Sequence, residues 1–125
     1  MSAQTQTAGL TRMTTALIAL SWWFQWGTGS GATSSANVVT TTSTTEARQP
    51  CTATQITVTS TNDTLQLTGT TTAAGTRAIT EVGAFDAAGA SSPPTGGNMD
   101  IYGSFSVINL NSGDSIAFTM KVTYT

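Results

Sequence analysis

Histidine is missing from this sequence altogether. That removes the side chain most often used as a general base near neutral pH and the commonest nitrogen ligand for metals. Cysteine is nearly missing as well. Cys51 stands alone, so no intrachain disulfide can form, and neither a zinc nor an iron–sulfur ligand set can be assembled within one chain. An intersubunit bridge is the only disulfide open to it, and its expected role is that of a small buried or half-buried thiol. Catalytic chemistry is thereby restricted to carboxylates, and no cofactor, metal or small-molecule substrate is expected.

Charge is the next scarcity. Charged residues make up 8% of the chain, against about 25% in an average soluble domain. Four cations, Arg12, Arg48, Arg77 and Lys121, are scattered through a sequence of net charge -2, which lacks the basic footprint that phosphate backbones require. Nucleic acid is excluded as a partner on that ground. A surface with so few ions is solvated by hydroxyls and peptide groups. Its poverty in charge points to coverage by copies of itself or by a partner, that is, to self-association. Long apolar runs are also lacking. Residues 13–26 imitate the apolar region of a signal peptide behind Arg12, but Thr14, Thr15, Ser21 and Gln25 interrupt them, well short of the ~20 apolar residues of a membrane span. No membrane association is expected.

What is present is arranged for one domain, which is all that 125 residues supply. Residues 1–8 are polar and aperiodic and read as an arm. Leu10, Met13, Leu17, Leu20 and Phe24 are spaced three, four, three and four, which predicts a short helix from about Thr11 to about Phe24. Gly27, Gly29 and Gly31 then stop regular structure. Residues 27–50 form a Thr/Ser/Gly/Ala-rich extended connector that contains the pair Val38-Val39; stretched out, it reaches on the order of 80 Å. It suits an arm that crosses to a neighbour and equally a linker.

From Thr52 the texture becomes one of short alternations. Ile56 and Val58, the turn residues 60–63, and then Leu65 and Leu67 predict a β-hairpin. Residues 77–85 predict a strand apolar on both faces and therefore central. Gly89, Pro93-Pro94 and Gly96-Gly97 set a loop over 87–98. Strands follow at about 101–110 and 115–124, joined by the turn Asn111-Ser112-Gly113-Asp114. In the last strand Ile116, Phe118, Met120, Val122 and Tyr124 alternate with Ala117, Thr119, Lys121 and Thr123, which specifies one buried face. The expected fold is mainly β, an antiparallel β-sandwich or small barrel with a short N-terminal helix and an extended N-terminal arm. The expected division is an arm, helix and connector over 1–50 and an antiparallel β domain over 51–125.

Few residues carry chemistry. Glu81 lies on an apolar strand, the one position where a perturbed carboxylate could act as acid or base, but a lone acid is expected to pair with a cation such as Arg77 or to sit at the sheet rim. Asp63, Asp86, Asp100 and Asp114 fall in or beside turns, where Asp bonds local backbone, and no calcium-loop pattern connects them. Gly27-Thr28-Gly29-Ser30-Gly31 is half a phosphate loop without the Lys-Ser/Thr ending, and reads as a hinge. Asn62-Asp63-Thr64 is a formal glycosylation sequon, with meaning only in a secreted eukaryotic protein. The strongest local feature is Trp22, Trp23, Phe24 and Trp26. Indoles so concentrated are typical interface anchors, and these four, with Val38 and Val39, are the candidate partner surface. Capping of the domain's own core is an equal alternative for the cluster, and sugar stacking a third.

Three segments carry a resemblance: Thr61-Asn62-Asp63-Thr64-Leu65-Gln66-Leu67, Ala78-Ile79-Thr80-Glu81-Val82-Gly83-Ala84-Phe85-Asp86, and Ile108-Asn109-Leu110-Asn111-Ser112-Gly113-Asp114-Ser115. They resemble a group of small structural proteins of tailed bacteriophages. Gly9-Leu10 and Gly27-Thr28-Gly29 match the N-terminal part of that pattern loosely, and the Trp cluster and Thr-rich connector depart from it. The resemblance implies a non-enzymatic virion structural protein. It fits best a capsid decoration or cement protein on the outer capsid surface, with the major capsid protein as partner and a cyclic homo-oligomer, most plausibly a trimer at local threefold positions. A tail or fibre component is the alternative within that class. A carbohydrate-binding adhesin module using the Trp cluster is the alternative outside it.

Overall fold

A computed structural model describes residues 1–29 and 44–125; Val38 and Val39 of the candidate partner surface lie outside the described residues. The element order is α1 (Thr7–Ile18), β1 (Trp23–Gly27), β2 (Gln49–Pro50), β3 (Thr52–Ile56), β4 (Thr64–Thr72), β5 (Arg77–Phe85), β6 (Met99–Leu110) and β7 (Ser115–Thr123). Two antiparallel sheets face each other, one of order β2-β1-β5-β6 and one of order β3-β4-β7. The fold is therefore mainly β, with two sheets, one short helix and no closed barrel, consistent with a β-sandwich.

The aromatic run departs from its expected place. The helix begins at Thr7 instead of near Thr11 and ends at Ile18 instead of near Phe24. Two periods compete over residues 20–26. The helical stripe continues through Leu20 to Phe24, while Trp22, Phe24 and Trp26 also alternate with period two. The alternation prevails because β1 pairs with β5 over five residues, Trp23 opposite Phe85 through Gly27 opposite Glu81, and drives three large rings between the sheets. Leu20, the next residue of the helical stripe, is left 57% exposed and Met13 41% exposed, whereas Thr14 is buried. Thr14 Oγ1 donates to the Asn62 carbonyl at 2.6 Å, and the Gln55 amide nitrogen lies 2.8 Å from both Thr14 Oγ1 and Thr15 Oγ1. The helix is thus docked onto β3 and the turn after it by hydroxyls as much as by Leu10, Leu17 and Ile18.

The division at residues 50 and 51 does not hold. β1 lies between β2 and β5 inside the first sheet, and Cys51 N–H donates to the Trp22 carbonyl at 2.8 Å. β1 is part of the sandwich, and α1 packs on it. Phe24 is 0% exposed and Trp26 1%, and both set an edge against Phe118 of β7, at ring-centroid distances of 5.8 and 6.4 Å. Leu65, Leu67, Ile79, Val82 and Ala84 complete the buried layer. β5 is central, as its two apolar faces predict.

The turn after β6 is present but spans the two sheets. Gly113, at φ 91°, sits in the left-handed region, its N–H donates to the Ala73 carbonyl, and the Ala73 N–H donates to the Asp114 carbonyl, both at 2.8 Å. β6 pairs with β5 and β7 with β4. The two last strands therefore run along the same side of the molecule in different sheets.

Candidate functional site

Trp22, Phe24 and Trp26 are not a partner surface. They face the core, and the two buried indoles satisfy their N–H groups within the chain, Trp22 Nε1 on the Leu17 carbonyl at 2.9 Å and Trp26 Nε1 on Thr44 Oγ1 at 2.8 Å. Only Trp23, on the other face of β1, is half-buried. The reading of the cluster as core stands, because alternation along a strand sends three of its four rings to one side. Sugar stacking loses its exposed rings by the same geometry.

The outer face of the first sheet carries a buried polar layer that the sequence did not announce. Glu81, 1% exposed, is not paired with Arg77. It accepts a hydrogen bond from Tyr102 Oη at 2.8 Å and one from the Gly29 N–H at 3.4 Å. Arg77 instead donates from Nε to Glu46 Oε1 at 2.9 Å. Arg48 lies over the Phe85 ring, 3.8 Å from its centroid. Its Nε donates to Gln25 Oε1 at 2.6 Å and its Nη1 donates to the carbonyls of Ala87 and Gly96. It fastens the glycine-rich loop over 86–98 to the sheet. Arg48 sits in a stretch that reads as connector, so nothing local in the sequence marked it.

Glu46 is the other structural carboxylate. Partial burial acts to raise its pKa, but hydrogen bonds from Thr44, the Ala74 N–H, its own backbone and Trp26 outweigh that and hold it at about 2. The turn acids behave as turn acids. Asp63 accepts the N–H groups of Val58, Thr59 and Ser60 and the Thr64 hydroxyl, which keeps its pKa well below the usual carboxylate range, and Asp86 is tied to Asn98. Cys51 is half-buried, and burial pushes its thiol up to about 12, so it is a poor nucleophile at neutral pH. Among the described residues no group of three His, Cys, Asp or Glu side chains could hold a metal ion, and no helix is long and apolar enough to cross a membrane.

An apolar concave feature lies elsewhere, where β6 and β7 run side by side as the edges of their respective sheets. On the opposite side of the sandwich the chain passes from β2 of one sheet directly into β3 of the other, and α1 packs against β3 and β4. Between β6 and β7, away from the turn at Asn111–Asp114, no strand pairing joins the sheets among the described residues. A groove of about 300 Å³ opens there onto the core, lined chiefly by Val82, Phe105, Ile108, Ile116, Phe118 and Met120, with no titratable side chain in its wall. Phe105 and Phe118 meet at 5.9 Å across its floor. Val107 and Ile108, on the β6 rim, are exposed. The polar side chains of its wall are the hydroxyls of Ser104 and Thr119. Its walls and its two sheet edges can bind an apolar, extended chain.

Fold and groove together define a small antiparallel β-sandwich with one open, uncharged seam. Compared with protein families, curated proteins and solved structures, the chain has no match.

Proposed function

We propose that this protein is a non-enzymatic structural component of a tailed-phage virion, a decoration or cement protein of the outer capsid surface whose partner is the major capsid protein. The observation that carries the structural half of this reading is the open seam, an apolar groove flanked by two sheet edges with no ionisable group in it. Such a surface serves association and not turnover. The virion half rests on the three segments that resemble phage structural proteins. These form the β3–β4 turn with the start of β4, the central strand β5, and the crossing from β6 to β7. They are the parts that set the sandwich.

A cement protein strengthens a shell by adding contacts that exist only between capsomers of the mature lattice. Each copy contributes modestly, and many copies add up. The test is to separate heads from tails of particles that contain the protein and to count copies by quantitative mass spectrometry. Copies in proportion to capsomers, all in the head fraction, are expected. A few copies confined to the tail fraction would replace this reading by that of a tail or fibre component.

A further inference from the structure

Four strands end the two sheets among the described residues, and three of them are managed. β2 is two residues long and contains Pro50, β3 is overlaid by α1 through Gln55, and β6 slips twice against β5. In the larger slip Phe105, Ser106 and Val107 stand opposite Thr80 alone, a bulge that breaks the regular ladder on that strand. Among the described residues β7 has none of these devices. It pairs with β4 through nine successive residues without a shift, from Ser115 opposite Thr72 to Thr123 opposite Thr64. It contains no proline, and its single charge is Lys121. A long, regular, uncovered edge is a template for another strand.

We infer that β7 is the self-association edge of this protein, and that two copies pair through it, antiparallel about a twofold axis at Thr119, so that their three-stranded sheets become one of six strands. Of the antiparallel self-pairings this register alone engages all nine residues. It sets Phe118 of each copy opposite Met120 of the other on the inner face, beside the open groove. On the outer face it sets Lys121 opposite Ala117, so the only charge on the strand never meets its own copy. The patch is complementary to itself, as a twofold contact requires: each copy offers an apolar groove floored by the buried Phe118 and, in the half-buried Ile116 and Met120, the side chains that extend over its neighbour's. The area suffices. An edge of nine residues is about 30 Å long, and a sandwich with about 10 Å between its sheets and a side-chain layer outside each is about 20 Å deep. That is on the order of 600 Å² per copy, and 1,200 Å² in total is the lower bound of specific interfaces. The inference deepens the association reading of the seam and does not depend on the virion.

Sedimentation velocity on the full chain from 1 to 100 µM should show a dimer. Ala117→Lys, at an exposed position, sets two lysine pairs across the axis and should weaken the dimer roughly fivefold, while Ala117→Glu sets two opposite-charge pairs and should tighten it by a similar factor, both effects fading with salt. Thr119→Cys should give a disulfide-linked dimer on mild oxidation, since directly opposed Cα atoms lie about 4.5 to 5.5 Å apart; the unaltered chain, with Cys51 alone, should not. A monomer at 100 µM, a trimer, or a dimer indifferent to charge at residue 117 and not cross-linked at 119 would overturn the pairing. Binding of each variant to isolated heads separates the two readings. A monomer that still binds heads sinks the β7 pairing alone, and a β7 dimer that ignores heads sinks the virion assignment alone.

Discussion

Gly27 and Glu81 stand opposite each other across β1 and β5, and the carboxylate occupies the space that a side chain at 27 would fill. A Cβ there would collide with Glu81 Oε1. Gly27→Ala should therefore destabilise the fold by about 1–3 kcal/mol, read as a lower urea midpoint at unchanged m value, through displacement of Glu81 from Tyr102. Glu46 makes a pH prediction. Its folded pKa, about 2, is below the ordinary 4.5, so the stability it contributes is fully present above pH 4.5 and is lost as pH falls toward 2. The melting temperatures of the natural chain and of Glu46→Gln should differ at pH 6 and converge between pH 4.5 and 2. A difference that persists at pH 2 would assign the effect to packing.

The same alternation that sends Phe24 and Trp26 inward in β1, with Trp22 just before it, sends Ile116, Phe118 and Met120 inward in β7, and the two sets meet at Phe118. Phe118→Asp should abolish folding by circular dichroism, since it places a carboxylate among Phe24, Trp26 and Phe105. Thr119→Asp, on the exposed face, should leave the monomer's melting temperature within a few degrees of the natural value. For α1, the Thr14 hydroxyl is part of the docking onto the β3–β4 turn. Thr14→Val keeps shape and removes the bond to the Asn62 carbonyl, and should cost about 1–2 kcal/mol in urea unfolding.

At the scale of the molecule, β1 is built into the first sheet. β1 is flanked by strands on both sides, and residues 1–29 contribute Leu10, Trp22, Phe24 and Trp26 to the buried set. Removing residues 1–50 should leave 51–125 without a stable fold, seen as loss of the cooperative thermal transition, while the full chain unfolds in one step. A truncated chain that melts cooperatively would restore the division of arm and body. The low charge bears on the proposed pairing at this scale too, since few ions stand between copies that would meet at an open sheet edge.

Local pattern alone determined β5, β7 and the turns, because a strand's alternation and a turn's Gly and Asp are properties of adjacent residues. Residues 77–85 coincide with β5, and the inward and outward sets of β7 are as read. The mainly β fold followed from these. What the chain could not show by itself was which partner each segment takes. The residues 20–26 satisfy both a helical and a strand period, and only pairing with β5 chooses between them. The role of Arg48, the Arg77–Glu46 bond and the Tyr102–Glu81 bond join residues 21 to 48 positions from their partners, with no local mark. The candidate site is a matter of tertiary structure for the same reason. A free edge is defined by the strand that is not beside it, and the crossing at Asn111–Asp114, which reads locally as a turn, opens a groove because it sends β6 and β7 into different sheets.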